Sequence, residues 1–326
     1  MARELSFAEA LNEALREEMK RDDRVIVFGE DVGKPGGVYK VTKGLYEEFG
    51  PERVRDTPIS EAAIVGAAIG AALMGLRPVA EIMYMDFMTI AMDQLLTHAA
   101  KLRFMSGGQV KVPIVVRAQY SLGRVHGCQH SQFFPSIFLQ APGLKVVLPG
   151  TPKDAKGLLK SAIRDDDPVV FIESGVLYHR YKGPVPEEEY LIPLGKADVK
   201  REGDDVTIVA ISRTVREALA AAEKLAAEGI STEIVDPMTI QPMDYETIIN
   251  SVKKTNRLVI AEDSVKTCGV SAEISAKVAE EALDYLDAPI IRVNSPPLPI
   301  PFSPPLEREY MVNADKIVKA VRMLVK

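Results

Sequence analysis

Glu61-Ala62-Ala63-Ile64-Val65-Gly66-Ala67-Ala68-Ile69-Gly70-Ala71-Ala72-Leu73-Met74-Gly75-Leu76 sets one carboxylate at the head of fifteen uncharged residues. Gly66 and Gly70 stand one helical turn apart, and small residues at that spacing let two backbones approach closely. The stretch is therefore expected to be a helix lying against another element or another subunit. A carboxylate at the mouth of such a helix is partly desolvated, which suits it to proton chemistry. A plainer role stays open: Ser60 caps the helix, and Glu61 complements its dipole in the first turn. The run is too short to span a bilayer, which takes about 20 residues.

Outward from this helix, apolar and β-branched runs alternate with helical patterns. On the N-terminal side, Ser6 and Glu9 form a capping-box pattern ahead of Phe7, Leu11, Leu15 and Met19. Val25-Ile26-Val27-Phe28 then reads as a buried strand feeding the loop Gly29-Glu30-Asp31. That loop has neither a Gly-Lys-Ser/Thr ending nor the dinucleotide glycine spacing, so it is not a P-loop or a Rossmann fingerprint. Beyond the helix, strands are expected at Val79–Met83, Val112–Arg117, Leu144–Leu148 and Val169–Ile172, with helices at Asp86–Phe104 and Pro152–Arg164. Strands that are apolar throughout and alternate with helices imply a parallel sheet covered on both faces, an α/β doubly wound fold.

Between Tyr181 and Pro193 the composition turns to proline and charge without periodicity, which marks a linker. It divides the chain into residues 1–185 and 186–326. The βα rhythm restarts after it, with strands at Val206–Ile211, Thr232–Val235, Leu258–Ala261 and Ile290–Val293. Helices are expected at Val215–Glu228, Tyr245–Lys254, Ser271–Leu286 and Ala314–Leu324. Pro296, Pro297, Pro299, Pro301, Pro304 and Pro305 predict an extended segment rather than a helix.

The 326 residues suffice for two full cores, and a net charge of −6 gives no basic footprint for nucleic acid. Two cysteines, Cys128 and Cys268, make no disulfide framework and point to a reducing cytoplasm. The charged N-terminus lacks the apolar core of a signal peptide, and no membrane association is expected. Four histidines remain to be placed. His98 lies in a helical pattern and reads as packed or half-exposed. In an extended His126-Gly127-Cys128-Gln129-His130, alternation would turn His126, Cys128 and His130 to one side as a metal triad, but no paired Cys/His cluster stands elsewhere. An acid/base or hydrogen-bonding role for one of these histidines and a structural role are equally open. No serine nucleophile elbow is present, and the Asp-Gly loop that holds a diphosphate and Mg²⁺ is missing.

The motif Glu61…Gly66…Gly70-Ala71 matches the helix of pyrimidine-binding domains in thiamine-diphosphate enzymes. Around it stand, in family order, Asp56-Thr57-Pro58-Ile59-Ser60-Glu61, Gly75-Leu76-Arg77-Pro78, Met105-Ser106-Gly107-Gly108, Gln129-His130-Ser131-Gln132, Pro142-Gly143-Leu144-Lys145-Val146-Val147 and Asp154-Ala155-Lys156-Gly157-Leu158. Over nearly its whole length the chain resembles the β subunit of the decarboxylating component of 2-oxo acid dehydrogenase complexes. The resemblance implies a pyrimidine-binding domain over 1–185, followed by a transketolase C-terminal-like domain over 186–326.

By the same resemblance, Glu61 hydrogen-bonds N1′ of the aminopyrimidine and favours the imino tautomer, whose nitrogen takes the proton from thiazolium C2. Phe87 packs on the aminopyrimidine, Ile59 and Glu30 line the pocket, and His130 orients substrate or the incoming lipoyl group and moves a proton. His126 and Cys128 fall where the family varies. The carbonyls of Ile114, Ala162, Ile163 and Asp165, with Asp167, match a potassium site of some relatives. The resemblance also accounts for the missing Asp-Gly loop: an α subunit supplies the diphosphate-and-Mg²⁺ half of a shared site. The implied assembly is a heterotetramer of two α and two β chains that passes acyl groups to a lipoyl acyltransferase core. Pyruvate, branched-chain 2-oxo acids and acetoin are the candidate substrates. A non-catalytic scaffold is the rival reading, but a scaffold needs neither Glu61 nor His130.

Overall fold

The structure, a computed structural model, describes residues 2–325. Its strands are β1 (Ala2–Ser6), β2 (Val25–Gly29), β3 (Val54–Asp56), β4 (Arg77–Ile82), β5 (Val115–Tyr120), β6 (Lys145–Val147), β7 (Val169–Ser174), β8 (Lys182–Pro186), β9 (Asp198–Arg201), β10 (Val206–Ala210), β11 (Thr232–Asp236), β12 (Thr239–Gln241), β13 (Leu258–Val265) and β14 (Ile291–Ser295). A seven-stranded sheet runs β12-β6-β7-β5-β4-β2-β3, parallel except for β12. A five-stranded sheet runs β14-β13-β10-β11-β9, parallel except for β9. Every residue of β5 and β7 is buried, as expected of strands roofed on both faces.

Alternation along the strands sorts side chains between two roofs. Val27, Val79, Val115 and Phe171 pack with Phe7, Leu11, Leu15, Leu158 and Leu159 of the helices Phe7–Arg21 and Pro152–Arg164. Phe28, Ala80, Val116 and Val170 pack on the other side with Ile64, Val65, Ala68 and Ile69. That second core continues through Val209, Val235 and Ile260 into the five-stranded sheet, and β12 crosses over to edge the first sheet. The two halves of the chain thus share one apolar interior.

Local signals explain the helix starts. Ser6 Oγ accepts from the Glu9 N–H while the Ser6 N–H donates to the Glu9 carboxylate, a closed capping box. Thr151, Asp244 and Asn313 cap the helices Pro152–Arg164, Tyr245–Thr255 and Ala314–Leu324.

Several expectations need correction. Ser60 makes no cap hydrogen bond, and the helix ends at Leu73, where Gly75 turns left-handed at φ 95°. The helix packs through Ile64, Val65, Ala68 and Ile69; a Cβ on Gly66 would meet only Gln94, and one on Gly70 would meet nothing within 4 Å. The expected helix Asp86–Phe104 is a 3₁₀ turn at Met85–Ala91, a π-helix at Asp93–Ala99 and an α-helical turn at Ala100–Met105. The linker contains β8, which pairs antiparallel with β1 ahead of the first helix. Prolines fit there because β8 has a partner on one side only. Pro304 and Pro305 open the helix Pro304–Tyr310 rather than forbid it, since the first turn needs no N–H donor. Among the described residues no helix is long and apolar enough to cross a membrane.

Candidate active site

The carboxyl edge of a parallel sheet is where loops converge on a crevice. Neighbouring strands β5, β4, β2 and β3 are followed in the chain by His130, Phe87, Glu30 and Glu61. Glu61 is the first residue of the helix Glu61–Leu73 and only 5% exposed. Glu30 follows Gly29, whose backbone (φ 156°) passes so close to β4 that a Cβ would lie 2.5 Å from the Glu81 carbonyl oxygen. Burial pushes the Glu30 carboxyl upward, and the charge of Glu61, then Asp31 and Glu81, pushes it further. Its Oε1 is buried with no hydrogen-bond partner among the described residues. The two nearly buried acids therefore lie within reach of each other's charge, and one of them has bonding capacity to spare. Ile59, two residues ahead of Glu61, is 79% exposed.

Phe87 and His130 meet around a side chain that sequence reasoning did not single out. Tyr84 stands edge-on to Phe87 at 5.7 Å, to His130 at 5.0 Å and to His126 at 6.0 Å, and Phe87 meets His130 at 5.4 Å. The Tyr39 hydroxyl donates to that of Tyr84 at 3.1 Å, and burial, then this contact, pushes the Tyr84 phenol upward. Asp86 accepts from the Gln132 N–H at 3.3 Å and the Gln132 Nε2 at 2.9 Å, fastening the His130 loop to the start of the Phe87 turn. Burial raises the Asp86 carboxyl above the usual range. Burial first, then the charges of Arg124 and His130, lower His126 and favour its neutral form.

Beneath this cluster lies a buried charge network. Arg117 donates from Nε and Nη2 to the two oxygens of Glu173 at 2.7 and 2.9 Å, and from Nη1 to Glu81 at 2.7 Å. Tyr178 Oη donates to Glu173 at 2.6 Å. A signal for it was present in the sequence: Glu81, Arg117 and Glu173 are charges set inside apolar strands, where an ion survives only if paired. Tyr84 and Asp86 carry no such signal, because a polar aromatic and an acid after a strand are unexceptional until the fold brings His130 to them.

Among the described residues no group of three or more His, Cys, Asp or Glu side chains is placed to hold a metal ion. His126, Cys128 and His130 do not converge, and Cys128 is exposed. The five residues matched to a potassium site do gather, but their oxygens are engaged. Arg77 donates to the Ile163 carbonyl at 2.8 Å and to the Asp165 carbonyl, and the Ala162 and Ile114 carbonyls accept from the Asp165 and Val169 N–H groups. Asp167 pairs with Arg103 and, at 3.3 Å, with Lys145. As they stand these oxygens do not fit a potassium ion, since the Arg77 guanidinium, itself a cation, already occupies the Ile163 and Asp165 carbonyls.

Residues 3–179 match the family described as transketolase, pyrimidine binding domain, and residues 195–317 match transketolase, C-terminal domain. The chain is 49% identical, over 98% of its own length and 98% of the relative's, to 2-oxoisovalerate dehydrogenase subunit beta of Bacillus subtilis (strain 168). It is 47% identical to acetoin:2,6-dichlorophenolindophenol oxidoreductase subunit beta of the same organism, over 100% and 98%. It is 48% identical to the mitochondrial pyruvate dehydrogenase E1 component subunit beta of Dictyostelium discoideum, over 98% and 91%. Among solved structures, a split gene transketolase, inactive beta4 tetramer, covers 98% of both chains at a TM-score of 0.81 and 24% identity, a likeness of fold. With both domains matched and full-length relatives of one kind, the chain belongs to the transketolase-type family of β subunits of 2-oxo acid and acetoin dehydrogenases.

Proposed function

We propose that this chain is the aminopyrimidine-binding β subunit of a thiamine-diphosphate-dependent 2-oxo acid dehydrogenase, active only with an α subunit that holds the diphosphate and Mg²⁺. The observation that carries the proposal is the buried Glu61, near enough for its charge to raise the Glu30 carboxyl, at the sheet edge that also bears the Phe87–Tyr84–His130 cluster. Thiamine diphosphate, when bound, supplies a carbon nucleophile and an electron sink for decarboxylation.

The residues divide the remaining work. Glu61 holds a proton against the pyrimidine ring nitrogen from a site shielded from water. Glu30, raised by burial and by the neighbouring Glu61 charge, keeps a buried Oε1 free for a hydrogen bond to the bound ring or substrate. Phe87 gives an apolar face to the ring, and Ile59 closes the pocket once a partner surface covers it. His130, held between Tyr84 and Phe87, orients the 2-oxo acid or the incoming lipoyl group and moves a proton there. An assembly of two α and two β chains delivering acyl groups to a lipoyl acyltransferase core completes the reading. The two free, exposed cysteines suit a reducing compartment such as the cytoplasm.

Cleavage of acetoin is the second reading, favoured by full-length relatives of that kind at 47% and 48% identity. It uses the same side chains on a different ketone. The chain reconstituted with its α partner and assayed with pyruvate, 2-oxoisovalerate and acetoin, using an artificial electron acceptor, separates them. Turnover of a 2-oxo acid supports the first reading; turnover of acetoin alone selects the second. No turnover of any of the three by a fully assembled complex overturns both.

A further inference from the structure

The loop leading to His130 contains a backbone oddity. Val125 is β-branched yet sits at φ 61°, in the left-handed region where such a side chain crowds its own backbone. A conformation of this kind persists only where its surroundings enforce it, and such positions cluster at functional sites. What enforces it comes from the far end of the chain. Glu307, in the helix Pro304–Tyr310, is 2% exposed and turns its carboxylate onto the loop backbone. Gly123 N–H donates to Oε1 at 3.0 Å, and Val125 N–H donates to Oε2 at 3.0 Å and to Oε1 at 3.2 Å. A carboxylate bonded to two backbone N–H groups is a strong, charge-assisted tether.

The same C-terminal segment grips the loop on either side of this tether. Gly123 (φ 91°) lies so close to Met311 that a Cβ would stand 2.8 Å from its Cε, and a Cβ on Gly127 (φ 74°) would stand 3.2 Å from Phe302 Cδ2. The held turn feeds directly into the site. Arg124, between the two tethered N–H groups, donates to the Gly175 carbonyl at 2.8 Å and lies 4.6 Å over the Tyr39 ring. Tyr39 bonds Tyr84, the side chain that contacts His130, and His126 follows Val125 to stand edge-on to Tyr84.

We infer that Glu307 is a positioning residue for the reaction: by holding Gly123 and Val125 in a strained turn, it sets the loop that presents His130 to the crevice. The C-terminal domain thereby reaches the chemistry without touching it. This inference rests on the role given to His130 above, so its test reads the loop and the reaction separately. In the α–β complex, hydrogen exchange over residues 121–131 is compared for wild type, Glu307→Gln and Glu307→Ala. Turnover of the fastest of pyruvate, 2-oxoisovalerate and acetoin is measured on the same samples, alongside His130→Ala.

The expected result is exchange faster by about tenfold in this segment alone, with kcat lowered about tenfold or more and thiamine-diphosphate affinity held within about twofold. Adding Val125→Gly to Glu307→Gln removes the left-handed penalty and restores much of the lost kcat. A merely structural role for Glu307 would lower stability without that rescue. Unchanged exchange overturns the inference, as does faster exchange with full turnover while His130→Ala is inactive. Full turnover by His130→Ala would instead fault the role of His130, leaving the exchange result to judge the hold of Glu307 on the loop.

Discussion

Two nearly buried carboxyl groups that feel each other's charge make protonation a probe of the site. Glu30 has its folded-state pKa raised above the usual 4.5, so the folded chain retains a proton that the unfolded chain releases. The stability this contributes is fully present below about pH 4.5 and is lost as pH rises through the raised value. Glu30→Gln cannot titrate, so denaturant unfolding from pH 4.5 to 7 is expected to show a flatter fall in stability than wild type and a more stable variant at pH 7. Parallel curves would remove the buried repulsion from the account. His130→Ala is expected to lower kcat by about 10²-fold without changing complex assembly, the usual span for a positioned proton-transfer group; steady-state kinetics on the complex checks it. Glu61 and His130 were singled out in the sequence because each stands in a motif of fixed order, and Glu30 and Phe87 by single-residue resemblance. Tyr84, Asp86 and Glu307 were not, because what they do depends on partners on other loops or at the other end of the chain.

Arg77 shows how one side chain at a strand start can hold two elements together. Its guanidinium spans the Ile163 and Asp165 carbonyls and lies 3.3 Å from Asp166, tying β4 to the end of the helix Pro152–Arg164. Arg77→Ala orphans those acceptors and is expected to cost about 2–4 kcal/mol in unfolding experiments. Exchanging NaCl for KCl at equal ionic strength is expected to leave wild-type Tm unchanged; a potassium-specific rise in Tm would return the site to the ion. The start of Phe7–Arg21 was marked by its capping box, and the capped helix Pro152–Arg164, with one apolar face, was legible to the residue. The stretch 85–105 was not, since its apolar spacing fits α, 3₁₀ and π winding alike. Neither was β8, whose Lys-Gly-Pro-Val-Pro sequence carries no strand pattern and is fixed only by pairing with β1.

Across the assembled protein, what stays uncovered matters as much as what is buried. Ile59, Leu73, Met74, Ile90, Phe104 and Met105 are exposed apolar side chains, and the outward face of the helix Glu61–Leu73 carries Ala63, Ala67 and Gly70. Apolar surface of this extent is what a subunit interface covers. The close-packing glycine face, legible in the sequence but unused inside this chain, is available for that purpose. The purified chain alone is accordingly expected to bind thiamine diphosphate weakly and to turn over none of the three substrates. Titration with the α subunit should bring affinity and activity in together, as calorimetry and the acceptor assay would record. The most direct test of the whole account is turnover by the α–β complex carrying Glu61→Gln. The account predicts a complex of wild-type mass whose kcat is lower by about 10²-fold or more, the scale of a lost proton-transfer group. Full turnover by that complex would contradict it.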